Sequence, residues 1–177
     1  SDYTLTDSNI ENLRIAGTPE FDFFEGFTLT GNDAANVING TVFDDVLRGE
    51  AGDDTIYGDG GDDIFYGGEG NDHLEAQFVS PYLSSRNQLF GEGGDDTLIG
   101  NMTSDILDGG TGADAMSGAE SDDVYFIDNV GDTIVEDVHS YGTAEHSPAA
   151  ANLDLGGSGG LNASSVVVVL LPDAGRD

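Results

Sequence analysis

The sequence predicts an all-β chain wound into a right-handed parallel β-roll, a solenoid of very short strands. Three observations carry that prediction. The chain can be cut every nine residues from Gly40 onward; one large apolar side chain recurs at the eighth place of each copy; and glycine and aspartate recur at fixed places ahead of it.

The copies read GTVFDDVLR, GEAGDDTIY, GDGGDDIFY and GGEGNDHLE. After an interruption at residues 76–86 the phase resumes with NQLF, then GEGGDDTLI, GNMTSDILD, GGTGADAMS and GAESDDVYF, and a degenerate copy, GNDAANVIN, starts at Gly31. The eighth places are Ile38, Leu47, Ile56, Phe65, Leu74, Leu89, Leu98, Leu107, Met116 and Tyr125. The sixth places are Asn36, Asp45, Asp54, Asp63, Asp72, Asn87, Asp96, Asp105, Asp114 and Asp123. Six residues turn, with glycine allowing positive φ. Three then form a strand whose middle side chain points inward. Two copies make one coil of roughly 18 residues, and coils stack at roughly 4.8 Å, so five make a rod of about 24 Å. A Gly/Asp-rich linker has no reason to hold a Leu/Ile column in phase across an interruption.

The charge narrows the partners. There are 35 acidic residues against Arg14, Arg48, Arg86 and Arg176, with no lysine, giving a net charge of −31. That excludes nucleic acid, which needs clustered cations, and argues against anionic membrane surfaces. Self-repulsion on this scale opposes compaction unless counter-ions are bound. Without cysteine, no disulfide or thiolate site can supply the staple. Residues 1–17 lack the pattern of a cleaved signal peptide. The longest apolar run, residues 166–171, is six long, against the roughly 20 of a membrane span.

Gly67-Gly68-Glu69-Gly70-Asn71-Asp72-His73-Leu74-Glu75 fits GGxGxDxUx, so the chain resembles the repeats-in-toxin (RTX) family of hemolysin-type calcium-binding nonapeptide repeat proteins. The resemblance is close over about residues 31–126. The flanks, from Tyr3-Thr4-Leu5 to Ile10-Glu11-Asn12-Leu13 and over residues 125–132, resemble the entry and exit segments of one unit in long RTX proteins. The resemblance implies calcium between stacked loops, a bacterial, secreted, extracellular setting, and one-step (type I) export with an uncleaved C-terminal signal. It also implies other domains of a larger chain as partners.

Calcium takes six to eight oxygens and accepts both carbonyls and carboxylates. In the resembled family the ion takes alternate carbonyls and the sixth-place Asp from two stacked loops. On one side of the roll this implies Glu50, Gly52 and Asp54; Gly67, Gly68, Glu69, Gly70 and Asp72; Gly91, Glu92, Gly93, Gly94 and Asp96; and Gly109, Thr111 and Asp114. All four loops there keep glycine in the first and fourth places, so three consecutive ions are expected. On the opposite side the fourth places are Phe43, Gly61, Ser85, Thr103 and Ser121. Weak or missing sites are expected there, with Asp45, Gly58, Gly60 and Asp63 first and Asp105 with Asp123 next. The total is about three to six calcium ions. The fifth-place Asp44, Asp53, Asp62, Asp95 and Asp122 are expected to be solvated and to face away from the neighbouring loop. Asp128, Asp132 and Glu136 are a further terminal possibility.

No catalytic site is expected. There is no HExxH. Gly156-Gly157-Ser158-Gly159-Gly160 spells the nucleophile elbow GxSxG, but without the strand and helix that motif requires. A count of acids does not by itself exclude the paired carboxylates of glycoside hydrolysis, but every regularly placed acid is already explained by the calcium periodicity. The alternative class is a non-catalytic module that binds polysaccharide or a cell surface. An ice-binding roll would want outward threonine rows, and the outward places hold only Thr55 and Thr97.

The expected layout is a β-coil N-terminal cap over residues 1–30, with Phe21, Phe23, Phe24 and Phe27 closing the first coil. The roll follows over residues 31–138 with its insertion at 76–86, then a low-complexity C-terminal tail over 139–177, a secretion signal or truncated unit. One outer sheet face is apolar, with Val46, Ile64, Ile106, Val124, Tyr66, Phe90 and Phe126. The insertion (Phe78, Val79, Pro81, Tyr82, Leu83), together with residues 166–171, is expected to fold across part of it, since a bare apolar face is rare on a soluble monomer.

Overall fold

The computed structural model describes residues 2–4, 11–14, 26–77, 85–136 and 167–170. The strands are β1 (Asp2–Thr4), β2 (Asn12–Arg14), β3 (Thr28–Thr30), β4 (Val37–Asn39), β5 (Val46–Ala51), β6 (Thr55–Tyr57), β7 (Ile64–Glu69), β8 (His73–Glu75), β9 (Gln88–Gly93), β10 (Thr97–Ile99), β11 (Ile106–Asp108), β12 (Ala115–Ala119), β13 (Val124–Ile127), β14 (Thr133–Glu136) and β15 (Val167–Leu170). They form two parallel sheets, one ordered β1-β3-β5-β7-β9-β11-β13-β15 and the other β14-β12-β10-β8-β6-β4-β2. The all-β parallel roll read from the nine-residue period is the observed architecture.

The register follows the period. Val46 pairs with Ile64 and Thr55 with His73, each 18 residues on. Ile64 pairs with Gln88 and His73 with Thr97, each 24 on, so the interruption adds six residues to one coil without shifting either sheet (24 − 18 = 6).

Every eighth-place side chain from Ile38 to Tyr125 is at most 1% exposed. The core is therefore a column one residue wide from each sheet, extended by Leu29 at the start and by Ile127 and Ile134 at the end. Tyr125 carries a hydroxyl into this column, where it accepts the Gly118 N–H at 2.6 Å. Strands β1 to β3 join the roll in register, so the stacking starts ahead of residue 31, and Phe27 packs on the core. Phe21, Phe23 and Phe24 lie outside the described residues.

On the outer face of the longer sheet Val46, Ile64, Ile106 and Val124 are half-buried. Tyr66 and Phe90 stack at 5.3 Å, and the Arg48 guanidinium lies 4.0 Å over the Tyr66 ring. The insertion residues 78–84 lie outside the described residues. Residues 167–170 do not cross the face. They extend the sheet edge-on as β15, paired with β13 from Val124↔Val167 to Ile127↔Leu170. A β-branched run beside a strand edge gains ladder hydrogen bonds there that a crossing over the face would not give.

Candidate metal centre

The six residues ahead of each inward-facing strand triplet form a loop, whose first residues extend the preceding strand in β5, β7, β9 and β12, and loops on the same side stack. One row holds loops 31–36, 49–54, 67–72, 91–96, 109–114 and 127–132, and the other holds 40–45, 58–63, 100–105 and 118–123 among the described residues. The sixth-place side chain ties each loop to the one before it. In the first row the N–H groups of Asn36, Asp54, Asp72, Asp96 and Asp114 donate to Oδ1 of Asp54, Asp72, Asp96, Asp114 and Asp132, at 2.6–3.1 Å. In the second row Phe27, Asp45, Asp63, Asn87 and Asp105 donate in the same way to Asp45, Asp63, Asn87, Asp105 and Asp123.

The second carboxylate oxygen divides the loops into two kinds. In loops 49–54, 58–63, 67–72, 91–96, 109–114 and 118–123 the second and fourth places are both left-handed, as at Glu50 (φ 82°) with Gly52 (φ 104°) and Gly68 (φ 114°) with Gly70 (φ 138°). These are the open loops. Oδ2 of Asp54, Asp63, Asp72, Asp96 and Asp114 is buried in them without a hydrogen-bond partner. In loops 31–36, 40–45, 100–105 and 127–132 neither place is left-handed. There the second-place N–H folds back onto the sixth-place side chain: Asn32 to Asn36, Thr41 to Asp45, Asn101 to Asp105 and Asp128 to Asp132. These are the closed loops.

A buried carboxylate oxygen left without a donor is expensive, and these five among the described residues suit a cation as their partner. Backbone carbonyls converge on the same places. A Cβ on Gly49 would collide with both Asp54 Oδ2 and the Gly67 carbonyl oxygen. At Gly67 it would meet Asp72 Oδ2 and the Gly91 carbonyl, and at Gly91 it would meet Asp96 Oδ2 and the Gly109 carbonyl. Only glycine leaves these oxygens room. Among the described residues no three acidic or histidine side chains converge, so an ion here takes its shell largely from carbonyls. An all-oxygen, carbonyl-rich set suits a hard cation of flexible geometry, calcium above all.

Burial, with neighbouring carboxylates adding to it, pushes Asp54 and Asp96 up to about 7 and Asp63 up to about 8. Asp72 and Asp114 rise to about 6, again mainly through burial. The backbone N–H at Oδ1 only partly offsets that cost.

The sequence matches the family described as RTX calcium-binding nonapeptide repeat (4 copies) in three stretches, residues 39–74, 84–116 and 99–134. The chain belongs to this family. No curated protein is matched. RTX repeats bind calcium, and the oxygen-lined spaces between open loops suit that ion.

The sixth-place residues predicted for the first side, Asp54, Asp72, Asp96 and Asp114, fall in four consecutive open loops with three spaces between them. The Glu50, Glu69 and Glu92 side chains are exposed, with Glu69 Oε2 lying beside Gly93 of the next loop. The Glu69, Gly93 and Thr111 carbonyls already accept N–H bonds from Gly52, Gly70 and Gly94. On the opposite side, among the described loops, 40–45 and 100–105 are closed and 58–63 and 118–123 are open. Asp63 keeps an unpartnered Oδ2, whereas Oδ2 of Asp45 accepts from Thr41, and Oδ2 of Asp105 accepts from Asn101 at 2.7 Å. The N–H of Gly60 is taken up by the Thr41 carbonyl.

Two expectations need correcting. The fifth-place aspartates are exposed but do not face away from the next loop: Oδ1 of Asp44, Asp53, Asp62 and Asp95 accepts N–H from Asp62, Asn71, Arg86 and Ala113. Side chains at this place are long enough to reach the adjacent backbone while staying in water. Asp132 caps the roll, because its Oδ2 already accepts the N–H groups of Asp128 and Asn129. Its place was legible, since it stands 18 residues after Asp114.

Proposed function

We propose that this RTX chain is a calcium-dependent folding unit of a larger secreted bacterial protein, serving its export, stability and presentation, with three ions between loops 49–54, 67–72, 91–96 and 109–114. The observation that carries this reading is the row of unpartnered Oδ2 atoms on Asp54, Asp72, Asp96 and Asp114, each buried. RTX repeats are typical of secreted bacterial proteins.

When bound, calcium supplies two positive charges and accepts six to eight oxygens. The chain supplies the rest. Oδ1 of each sixth-place aspartate fixes the distance between coils through a backbone N–H, which leaves Oδ2 aimed at the space between loops. The first-place glycines clear that space. A core one side chain wide per sheet is thin support for a chain of net charge −31, and ion binding that occurs only in the folded state contributes the missing stability. Extracellular calcium modules bind at roughly 10⁻⁴–10⁻³ M. The chain is therefore expected to stay unfolded where calcium is scarce and to fold where it is millimolar. Far-ultraviolet circular dichroism with excess chelator and then with millimolar calcium tests this. A β-signal that appears only with calcium supports the reading, and the same β-signal in chelator overturns it.

A further inference from the structure

The closed loops show how a turn of this roll dispenses with an ion. In three of them the second-place side chain makes its own turn by accepting the fourth-place N–H. Asn32 Oδ1 accepts from Ala34 at 2.9 Å, Thr41 Oγ1 from Phe43 at 3.2 Å and Asn101 Oδ1 from Thr103 at 3.0 Å. Such side-chain turns are a standard alternative to a left-handed backbone. They orient the second-place N–H onto the sixth-place carboxylate, at 2.6 Å for Thr41 to Asp45 and 2.7 Å for Asn101 to Asp105. The Thr41 hydroxyl adds a second donor to Asp45 Oδ2 at 2.9 Å. Asn101 also donates through Nδ2 to Ser85 Oγ at 2.8 Å and to the Ala76 carbonyl at 3.4 Å, binding both ends of the insertion.

The oxygen cradle is otherwise present in these loops. A Cβ on Gly40 would lie 2.6 Å from the Gly58 carbonyl oxygen and 3.0 Å from Asp45 Oδ2. One on Gly100 would lie 2.6 Å from Asp105 Oδ2 and 3.0 Å from the Gly118 carbonyl oxygen. What differs from the open loops is the donor already seated on Oδ2 and a fourth place, Phe43 or Thr103, that resists positive φ.

We infer that Thr41 and Asn101 are locks: each replaces a calcium ion with hydrogen bonds from the chain itself, so loops 40–45 and 100–105 hold no ion at any calcium concentration. This rests on the reading of the open loops as calcium sites. The roll would then carry one ion-dependent side and one side that is half protein-locked, with the insertion fastened to the locked part. Loop 58–63, whose Asp63 Oδ2 is unpartnered, has beneath it loop 40–45, which the Thr41 N–H on Asp45 Oδ2 closes.

The test is the number of calcium ions per chain, measured by equilibrium dialysis on the full chain and on a Thr41→Gly/Phe43→Gly double variant. The variant makes 40–45 and 58–63 two adjacent open loops, and it should bind one ion more than the parent. Thr41→Ser, which keeps the hydroxyl, should leave the count unchanged. A parent that binds calcium and a double variant with the same count overturns the lock alone, whereas a parent that binds none overturns the proposed function and the lock with it. A second measurement covers a double variant that fails to fold. In the calcium-loaded parent, NMR should detect coupling through the hydrogen bond from the Thr41 nitrogen to the Asp45 carboxyl carbon. Absence of that coupling would likewise overturn the lock.

Discussion

Replacing Asp72 by asparagine separates the two jobs of that side chain. Oδ1 accepts the Asp54 N–H at 2.8 Å, a bond asparagine can keep, as Asn87 does for Asp63 at 3.0 Å in the other row. Oδ2 loses its charge. At calcium about 100 times the dissociation constant, one site contributes about 2.7 kcal/mol to stability, so losing that site should remove most of this amount. Without calcium the sign reverses. Burial raises the Asp72 pKa from 3.8 to about 6, roughly two units at about 1.4 kcal/mol each. Ionising it near neutral pH therefore opposes folding by at most about 3 kcal/mol, with water at the loop edge lowering the figure. Asp72→Asn should thus steady the chelator-treated chain while weakening the calcium-saturated one, flattening the dependence of stability on calcium. The control is Asp105→Asn, whose Oδ2 already has the Asn101 N–H; it should leave that dependence unchanged. Urea unfolding followed by circular dichroism, in chelator with a stabilising osmolyte and again in 10 mM calcium, reads both arms. The reasoning is refuted if the two variants respond to calcium alike.

The raised carboxylates also set a pH dependence for the metal-free chain. Asp54, Asp63 and Asp96 sit near 7 to 8 when folded, above their unfolded value, so the folded state binds more protons and stability falls as pH rises between about 4 and 8. In chelator the β-signal should be stronger at pH 4.5 than at pH 8, and the opposite order would contradict the assignment. Gly70→Ala should destabilise the calcium-loaded roll by more than about 2 kcal/mol: Gly70 is left-handed at φ 138° and a Cβ there would strike the Gly52 carbonyl. Gly93→Ala, where the nearest atom is a Glu69 side-chain oxygen 3.4 Å away, should have a much smaller effect in the same thermal unfolding assay.

The fold was legible because one column decides it. A large apolar residue every nine places, with a glycine turn between, leaves no other way to bury Ile38 through Tyr125. Asp54, Asp72, Asp96 and Asp114 were legible for the same reason, since their phase is fixed to that column. The open or closed state of a loop was only half legible. Glycine at the fourth place marks Gly52, Gly61, Gly70, Gly94 and Gly112 as open, yet Ser121 is left-handed too (φ 89°). What closes a loop is a hydrogen bond between its second and sixth places, and Thr41 and Asn101 give no periodic signal of it. The outer ladder through Asp44, Asp53, Asp62 and Asp95 was missed because an exposed acid in an acidic chain looks like a solubilising charge. Leu29 was missed because the turn before it lacks the glycine pattern that marks the later ones.

The two side-chain ladders run in opposite senses. Each sixth-place Oδ1 takes a proton donor from the coil before it, and each fifth-place Oδ1 takes one from the coil after it. Between residues 31 and 126 a force peeling coils from the C-terminal end must break both kinds at each boundary, and so must a force applied from the N-terminal end. Coils in such an array touch only their neighbours, so resistance to unzipping is set boundary by boundary, and across these boundaries neither direction of pull finds an easier bond to break first.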